Sequence, residues 1–238
     1  MRTRRGLLRR AARVAGWLVA ALVAAVLVLQ LWFFAQVLRL RDAPPGHTAF
    51  MSAQLEVLRR ADPQARLTHR WVPYPSISVH LKRAVIAGED ARFAAHDGVD
   101  WRAIEAAHAR NQRHGRISHG GSTITMQLAK NLFLSGERSY LRKAQELVIA
   151  YMLEAVLGKE RILELYLNVA EWGSGLFGCE AAARRYFGVP AAQLSPSQAA
   201  RLAAMLPRPR FYERHPGSPV LAARAASIQR WMASVDLP

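Results

Sequence analysis

The chain has 238 residues, 51% of them hydrophobic, a single cysteine and a formal charge of +16. One cysteine excludes an intramolecular disulfide, and abundant Ala, Leu and Arg without β-branched runs argues against a sheet-built domain. Eight of the 33 basic residues fall in residues 1–41, which hold no acid, leaving 25 bases against 16 acids in residues 43–238; a basic domain beside an anionic bilayer gains about 1 kcal/mol per Lys or Arg near the surface, so membrane lipid or a phosphorylated lipid accounts for the charge without nucleic acid.

Residues 1–13 form a basic tail carrying Arg2, Arg4, Arg5, Arg9, Arg10 and Arg13. Residues 14–38 hold no charge, and as a helix they span roughly 37 Å, enough to cross a bilayer with some tilt. Trp17 near one end, with Trp32, Phe33 and Phe34 towards the other, resembles a pair of interfacial anchors. Only Arg39 and Arg41 follow closely, so the charge asymmetry predicts a cytoplasmic N-terminus and a periplasmic or extracytoplasmic remainder, with the chain in the cytoplasmic (inner) membrane. The run is longer than a signal-peptide core and no small-x-small site ends it, which favours a retained single-pass anchor over a cleaved leader.

Residues 39–47, with Asp42-Ala43-Pro44-Pro45-Gly46, read as a linker, and residues 48–238 as one mainly α-helical domain. Thr48 is placed to cap a helix to Ala61, and Asp62-Pro63 stops it. Thr68 to Pro75 reads as extended, because each proline biases its predecessor away from α. Helical spacing resumes from Ser78 and runs to Glu89; Asp100 can cap a helix from Trp101; Gly115 to Gly121, with Arg116 and His119, reads as a loop. The glycines and charges between Asp97 and Gly121 suggest a mobile cover over a bound substrate. Further helices are expected from Ser122 or Thr123, from Ser139 to Leu157, from Lys159 to Trp172, and over residues 196–205 and 219–234, the first of that last pair opened by the capping pattern Ser195-Pro196-Ser197-Gln198. Cys179 reads as a small buried apolar residue on a helix.

Three clusters carry chemistry. In EDARFAAHDG, residues 89–98, Glu89 and Asp90 sit at a helix C-terminus, where the macrodipole disfavours carboxylates. In GGSTITMQLAKNLF, residues 120–133, Thr123, Gln127 and Lys130 make one polar line on a helix, and glycines before a helix start expose N–H groups that suit an anion. In RKAQE, residues 142–146, Arg142, Lys143 and Glu146 share a helix face, although Arg before Glu is the poorer order for a surface pair. Singly these are ordinary: solvated acids, an amphipathic helix, a salt bridge; His96 alone reads as a surface histidine and Phe93 alone as core.

In this order the clusters resemble the glycosyltransferase family 51 domain, whose first, second and third motifs they fit, with KERILELYLN (residues 159–168) as a fourth and GCEAAARRYFG (residues 178–188) after it. The resemblance covers about residues 70–210 and implies a lysozyme-like helical fold that polymerises lipid II. It implies Glu89 as the base that deprotonates an acceptor sugar hydroxyl, a task open to a carboxylate with a reference pKa of about 4.3. It implies Lys130, Arg142 and Lys143 on the departing diphosphate, with Glu146 as the second catalytic glutamate, orienting those cations or assisting the leaving group. Asp90, Phe93, His96, Thr123, Gln127 and Asn131 match positions that shape the donor and acceptor clefts. No cofactor is implied, although a divalent cation, Mg or Mn, can assist a diphosphate. The implied partners are lipid II, the lipid-linked nascent glycan, membrane lipids and other cell-wall synthesis and division proteins. One position departs: Met126 stands where the family's second motif has a glutamine.

The nearest rival is a lytic enzyme that cuts glycan with a glutamate on a similar scaffold, but it protonates a sugar leaving group and needs no phosphate cluster. A non-enzymatic lipid-binding scaffold would not need Glu89. No SxxK or KTG motif occurs, so no transpeptidase is expected.

Overall fold

The computed structural model describes residues 2–114, 121–134 and 139–238, so the expected loop from Gly115 to Gly121 lies, except for Gly121, outside the described residues. It divides into two units, Met1–Arg39 and Leu40–Pro238. The first is one continuous helix, α1 (Arg2–Arg39), whose stretch Ala12–Arg39 is long and apolar enough to cross a membrane once, with a mean hydropathy of 2.6.

The second unit is mainly helical, as its composition implies. It contains α2 (Ala49–Ala61), β1 (Thr68–His69), α3 (Val79–Glu89), α4 (Trp101–His114), α5 (Ile124–Phe133), α6 (Tyr140–Val156) and α7 (Lys159–Val169). There follow β2 (Glu171–Gly173), β3 (Leu176–Phe177), α8 (Cys179–Phe187), α9 (Pro196–Met205), α10 (Pro209–Arg214) and α11 (Pro219–Trp231). Local chemistry sets most starts. Thr48, Thr123 and Ser139 each accept a backbone N–H three residues on, Ser78 accepts from His80, and Asp100 from Ala103. Ser195 and Gln198 close a reciprocal capping box at α9.

Two expectations need correction. Tyr74–Ser76 is a short 3₁₀ turn, not extended chain, with Pro75 in its first positions, where a missing N–H costs nothing. The helix expected to reach Trp172 stops at Val169, because the glycine-rich run after it turns the chain into a hairpin in which β3 lies between antiparallel β2 and parallel β1. The helix expected from Trp101 is α4, with Asp100 capping it.

The hairpin is pinned to the helical body. Trp172 is fully buried and donates its indole N–H to the Leu202 carbonyl at 3.0 Å. The Asn168 side chain bridges both backbone groups of Val72, and the Asn168 carbonyl pairs with His69. Gly178, with φ of +83°, lies so close that a Cβ there would meet the Asn168 carbonyl at 2.9 Å. Gly178→Ala in the full-length protein is therefore expected to cost about 1–3 kcal/mol, from left-handed strain and displacement of this junction. Thermal unfolding should show a lower midpoint; an unchanged midpoint would contradict the close packing. Cys179, opening α8, is fully buried, and burial pushes its thiol up to about 12, so it is an unreactive packing group.

The core beneath the site joins α3, α5, α7 and α9 through fully buried Leu81, Ile86, Ile124, Leu128, Leu163 and Leu202. It holds the C-terminal end of α3 beside the N-terminal half of α5, and the polar residues gather at that junction.

Candidate active site

Glu89 is the last residue of α3, and both of its carboxylate oxygens are taken by donors. Oε2 accepts from the Gln127 amide at 3.0 Å, and Oε1 from the Arg224 guanidinium at 3.1 Å. The Gln127 amide is itself oriented, because the Tyr166 hydroxyl donates to its Oε1 at 3.0 Å and leaves the N–H side for Glu89. Burial pushes the Glu89 carboxyl above the usual glutamate range, while Gln127, Arg224 and Lys130 draw it back.

The unfavourable pairing of two acids at a helix end has a structural cause. Asp90 caps α3 but also reaches the start of α5, where Oδ2 accepts the Ile124 N–H at 3.0 Å, so its charge faces the positive end of a second helix. His96 Nε2 bonds both Asp90 oxygens, at 2.9 and 3.1 Å, within the protein interior. Thr123 caps α5 and donates to the Gly98 carbonyl at 2.6 Å. Phe93 is wholly buried, edge-on to His96 and beneath the Lys159 ammonium at 4.6 Å. With no exposed surface, Phe93 is a packing residue, contrary to the substrate contact that its motif position implies; burying a large aromatic outweighs presenting it to solvent.

The cationic cluster assembles around one buried carboxylate. Glu146, 3% exposed, accepts from Arg142 at 3.0 Å and from Lys143 at 2.5 Å. The poorer Arg-before-Glu order still forms here, because the buried acid needs both partners. Lys143 also donates to Ser122 at 3.0 Å, tying α6 to the lead-in of α5. Burial pushes Lys130 below the usual lysine range; Glu146 raises it, Arg142 and Lys143 lower it, and Glu89 raises it, so Lys130 is the group that feels both the Glu146 cluster and Glu89.

Two cavities flank the Gln127–Glu89 pair. The first, about 260 Å³, is lined by Glu89, Asp90, Arg92, Asp100, Ser122 and Thr123 among others. The second, about 190 Å³, is lined by Phe50, Gln127, Lys130, Asn131, Tyr166 and Glu171 among others. A third, about 450 Å³, lies against Ser139, Tyr140, Arg142 and Lys143. The Glu89 carboxylate lines the first cavity, Lys130 the second, and Arg142 and Lys143 the third, with Ser122 of the first cavity bonded to Lys143, so a group able to accept a proton and groups able to hold an anion lie in neighbouring cavities.

Of the residues singled out in the sequence, Glu89, Gln127, Lys130, Asn131, Arg142, Lys143, Glu146, Asp90 and Thr123 converge on these cavities or the cluster between them, while His96 supports Asp90 from inside. Met126 points away, into an apolar cluster with Val99 and Ala150, so the departure from glutamine places no methionine in the cleft. Two site residues escaped the sequence reading. Tyr166 lies inside the motif at residues 159–168 but was not singled out; Arg224 has no local signature, since its partner is 135 positions away. Among the described residues, no group of three or more His, Cys, Asp and Glu gathers as metal ligands would.

Comparison with known proteins fits this geometry. Residues 55–233 match the family model described as Transglycosylase. A biosynthetic peptidoglycan transglycosylase of Herminiimonas arsenicoxydans is 56% identical over 222 residues, covering 93% of this chain and 96% of that one. Proteins of the same name from Bordetella avium (55% over 230 residues; 95% and 96% covered) and Chromobacterium violaceum (55% over 221 residues; 93% and 97% covered) are equally similar. With its helical domain, its carboxylate set against a cationic cluster and a match that spans most of its length, the chain belongs to the transglycosylase family, glycosyltransferase family 51, and is a glycosyltransferase.

Proposed function

We propose that this protein is a peptidoglycan glycosyltransferase that polymerises lipid II into glycan strands. One observation carries the reading: Glu89 and Ser122 line a single cleft, and Ser122 holds Lys143 of the cluster that Glu146 organises. In the reaction the acceptor sugar's 4-hydroxyl attacks the donor's anomeric carbon from the face opposite the diphosphate, inverting it. The hydroxyl proton passes to Glu89 and then to solvent, while the bond to the diphosphate breaks and its electron pair leaves with polyprenyl diphosphate. Arg142 offers a fork to phosphate oxygens, and Lys130 and Lys143 offer point charges. Gln127 orients the base, Asp90 and Thr123 hold the start of α5, and Asn131 lines the second cavity.

The hydrogen bonds at Glu89 favour a base over an acid. Each oxygen receives one donor, which stabilises the ionised form and leaves each a further lone pair with which to take up a proton. A lytic enzyme needs the protonated form. The carboxylates present do not fit a protein-held Mg or Mn ion: the Glu146 oxygens are committed to Arg142 and Lys143, and those of Asp90 to His96 and Ile124. No step is therefore routed through a metal.

The basic residues that open α1, Arg2 to Arg13, support a cytoplasmic N-terminus, a single pass through the inner membrane and a periplasmic catalytic unit, with lipid-linked substrates, membrane lipids and other wall-synthesis and division proteins as its partners. The absence of SxxK and KTG motifs supports an enzyme without transpeptidase activity.

The test is to incubate the purified full-length protein with lipid II, and separately with preformed glycan. Polymer and polyprenyl diphosphate from the first, with nothing released from the second, is the expected result; new reducing ends from the second alone would replace synthesis with cleavage. Because burial raises the Glu89 carboxyl, the acid limb of kcat/KM should lie above the usual 4.5 of a glutamate, activity falling as pH drops through it. A limb at or below that value would show that Glu89 does not set it.

A further inference from the structure

Glu89 sits at the C-terminal end of α3, where the last carbonyls lack intrahelical partners and the helix dipole opposes a negative charge. Something must offset both, and the structure supplies one group that does. Arg224 extends from α11, and the same guanidinium nitrogen donates to the Gly88 carbonyl at 2.9 Å and to Glu89 Oε1 at 3.1 Å. The approach depends on packing: Gly88 stands so close to α11 that a Cβ there would lie 2.9 Å from Ile228 Cδ1, and Arg224 is one turn before Ile228 on that helix. Buried Leu221 and Ile228 hold the inner face of α11 against the body, which fixes where Arg224 can reach.

We propose that Arg224 is a positioning residue for the Glu89 carboxylate, a clamp delivered by the last helix that, opposite Gln127, aims the remaining lone pairs of the carboxylate into the cleft. The inference rests on the reading of Glu89 as the base. A free glutamate side chain has three rotors. Here one oxygen is held from α5 by Gln127, which Tyr166 of α7 orients, and the other from α11 by Arg224, so the carboxylate is fixed from two sides before substrate arrives. Arg224 lies outside the motifs that carried the resemblance, and its hydrogen bonds go to Gly88 and Glu89. Its role is to hold the base.

The clamp has an electrostatic consequence that separates it from a structural tie. The groups facing Glu89 are Arg224 from α11, Lys130 from α5, the Tyr166 hydroxyl from α7 and neighbouring Asp90, with Arg92 and Asp100 lining the same cleft. Arg224 and Lys130 are the two cations that draw the Glu89 carboxyl down against burial. Without Arg224 the protonated form gains, and the base is lost at a higher pH.

The experiment measures kcat, KM and the pH profile of lipid II polymerisation for full-length wild type, Arg224→Gln, Arg224→Lys and Glu89→Gln, with thermal unfolding of each. Arg224→Gln is expected to lower kcat by roughly tenfold to a hundredfold, the worth of a charged hydrogen bond, with little change in KM and an acid limb moved to higher pH. Arg224→Lys keeps the charge, so its limb should stay near wild type while kcat is only partly restored, because an ammonium on a shorter reach holds the two acceptors less well; this variant decides the matter if Arg224→Gln does not fold. An inactive Glu89→Gln beside an Arg224→Gln of normal kcat and unmoved limb would overturn the clamp and leave the base reading intact. A lowered melting point without a moved limb would overturn it in favour of a structural tie. An active Glu89→Gln would instead remove the base reading, and the clamp with it.

Discussion

Glu89→Gln should abolish polymerisation, lowering kcat by about 10² to 10⁴-fold, while the protein still binds lipid-linked substrate. The amide is nearly the shape of the carboxylate but cannot take up a proton at any accessible pH. It also mismatches its surroundings: Gln127 and Arg224 both present donors to this side chain, so one of its ends must face a donor with a donor. The loss should therefore appear in kcat rather than KM, and no rise in pH should rescue it. A steady-state assay following polymer and diphosphate together checks this. A fall confined to KM would make Glu89 a binding group.

Lys130→Ala is expected to cost the next largest amount, about 10² to 10³ in kcat, the range for removing one preorganised charge from a developing anion. Lys130 is half-buried and is influenced by Glu89 on one side and by Glu146, Arg142 and Lys143 on the other. Its removal should therefore slow departure of the diphosphate and also push the acid limb up, since Lys130 is one of the cations that lower the Glu89 carboxyl. Arg142 and Lys143 keep their shared carboxylate, so substrate binding should weaken less than turnover. An unchanged kcat with a raised KM would confine Lys130 to holding the ground state.

The parts of this fold that were legible in the sequence are those that local chemistry decides. Thr48, Ser78, Asp100, Thr123, Ser139 and Ser195 announce helix starts because a cap is a contact across two or three residues. The Gln127–Lys130 line and the Arg142–Glu146 pair could be seen because helical spacing alone places them on one face. What could not be seen depends on distant partners. The hairpin after Val169 adds a third strand from far off, because β1, about a hundred positions earlier, lies alongside β3. Asp90 looked misplaced at a helix end until α5 supplied a second helix start for it to cap. Phe93 matched a substrate-shaping position, yet its surroundings bury it; Met126 departs from the family's glutamine, and it faces the core. Arg224 could not have been found from its neighbours, because only the packing of α11 on Gly88 gives it a role.

The site is also organised by buried ion pairs whose worth lies in geometry rather than stability. A buried carboxylate such as Glu146 is costly to desolvate, and two cations around it roughly offset that cost. Its return is orientation: the acid holds Arg142 and Lys143 against α5 before any diphosphate arrives, so those charges need not reorganise in the transition state.

The most direct measurement is a crystal structure of Glu89→Gln with a non-hydrolysable lipid-linked disaccharide donor and an acceptor bound. The account predicts the diphosphate against Lys130, Arg142 and Lys143, and the acceptor's 4-hydroxyl within hydrogen-bond reach, about 2.6–3.2 Å, of the side chain at position 89. A diphosphate bound away from those three cations, or a 4-hydroxyl turned away from position 89, would contradict it.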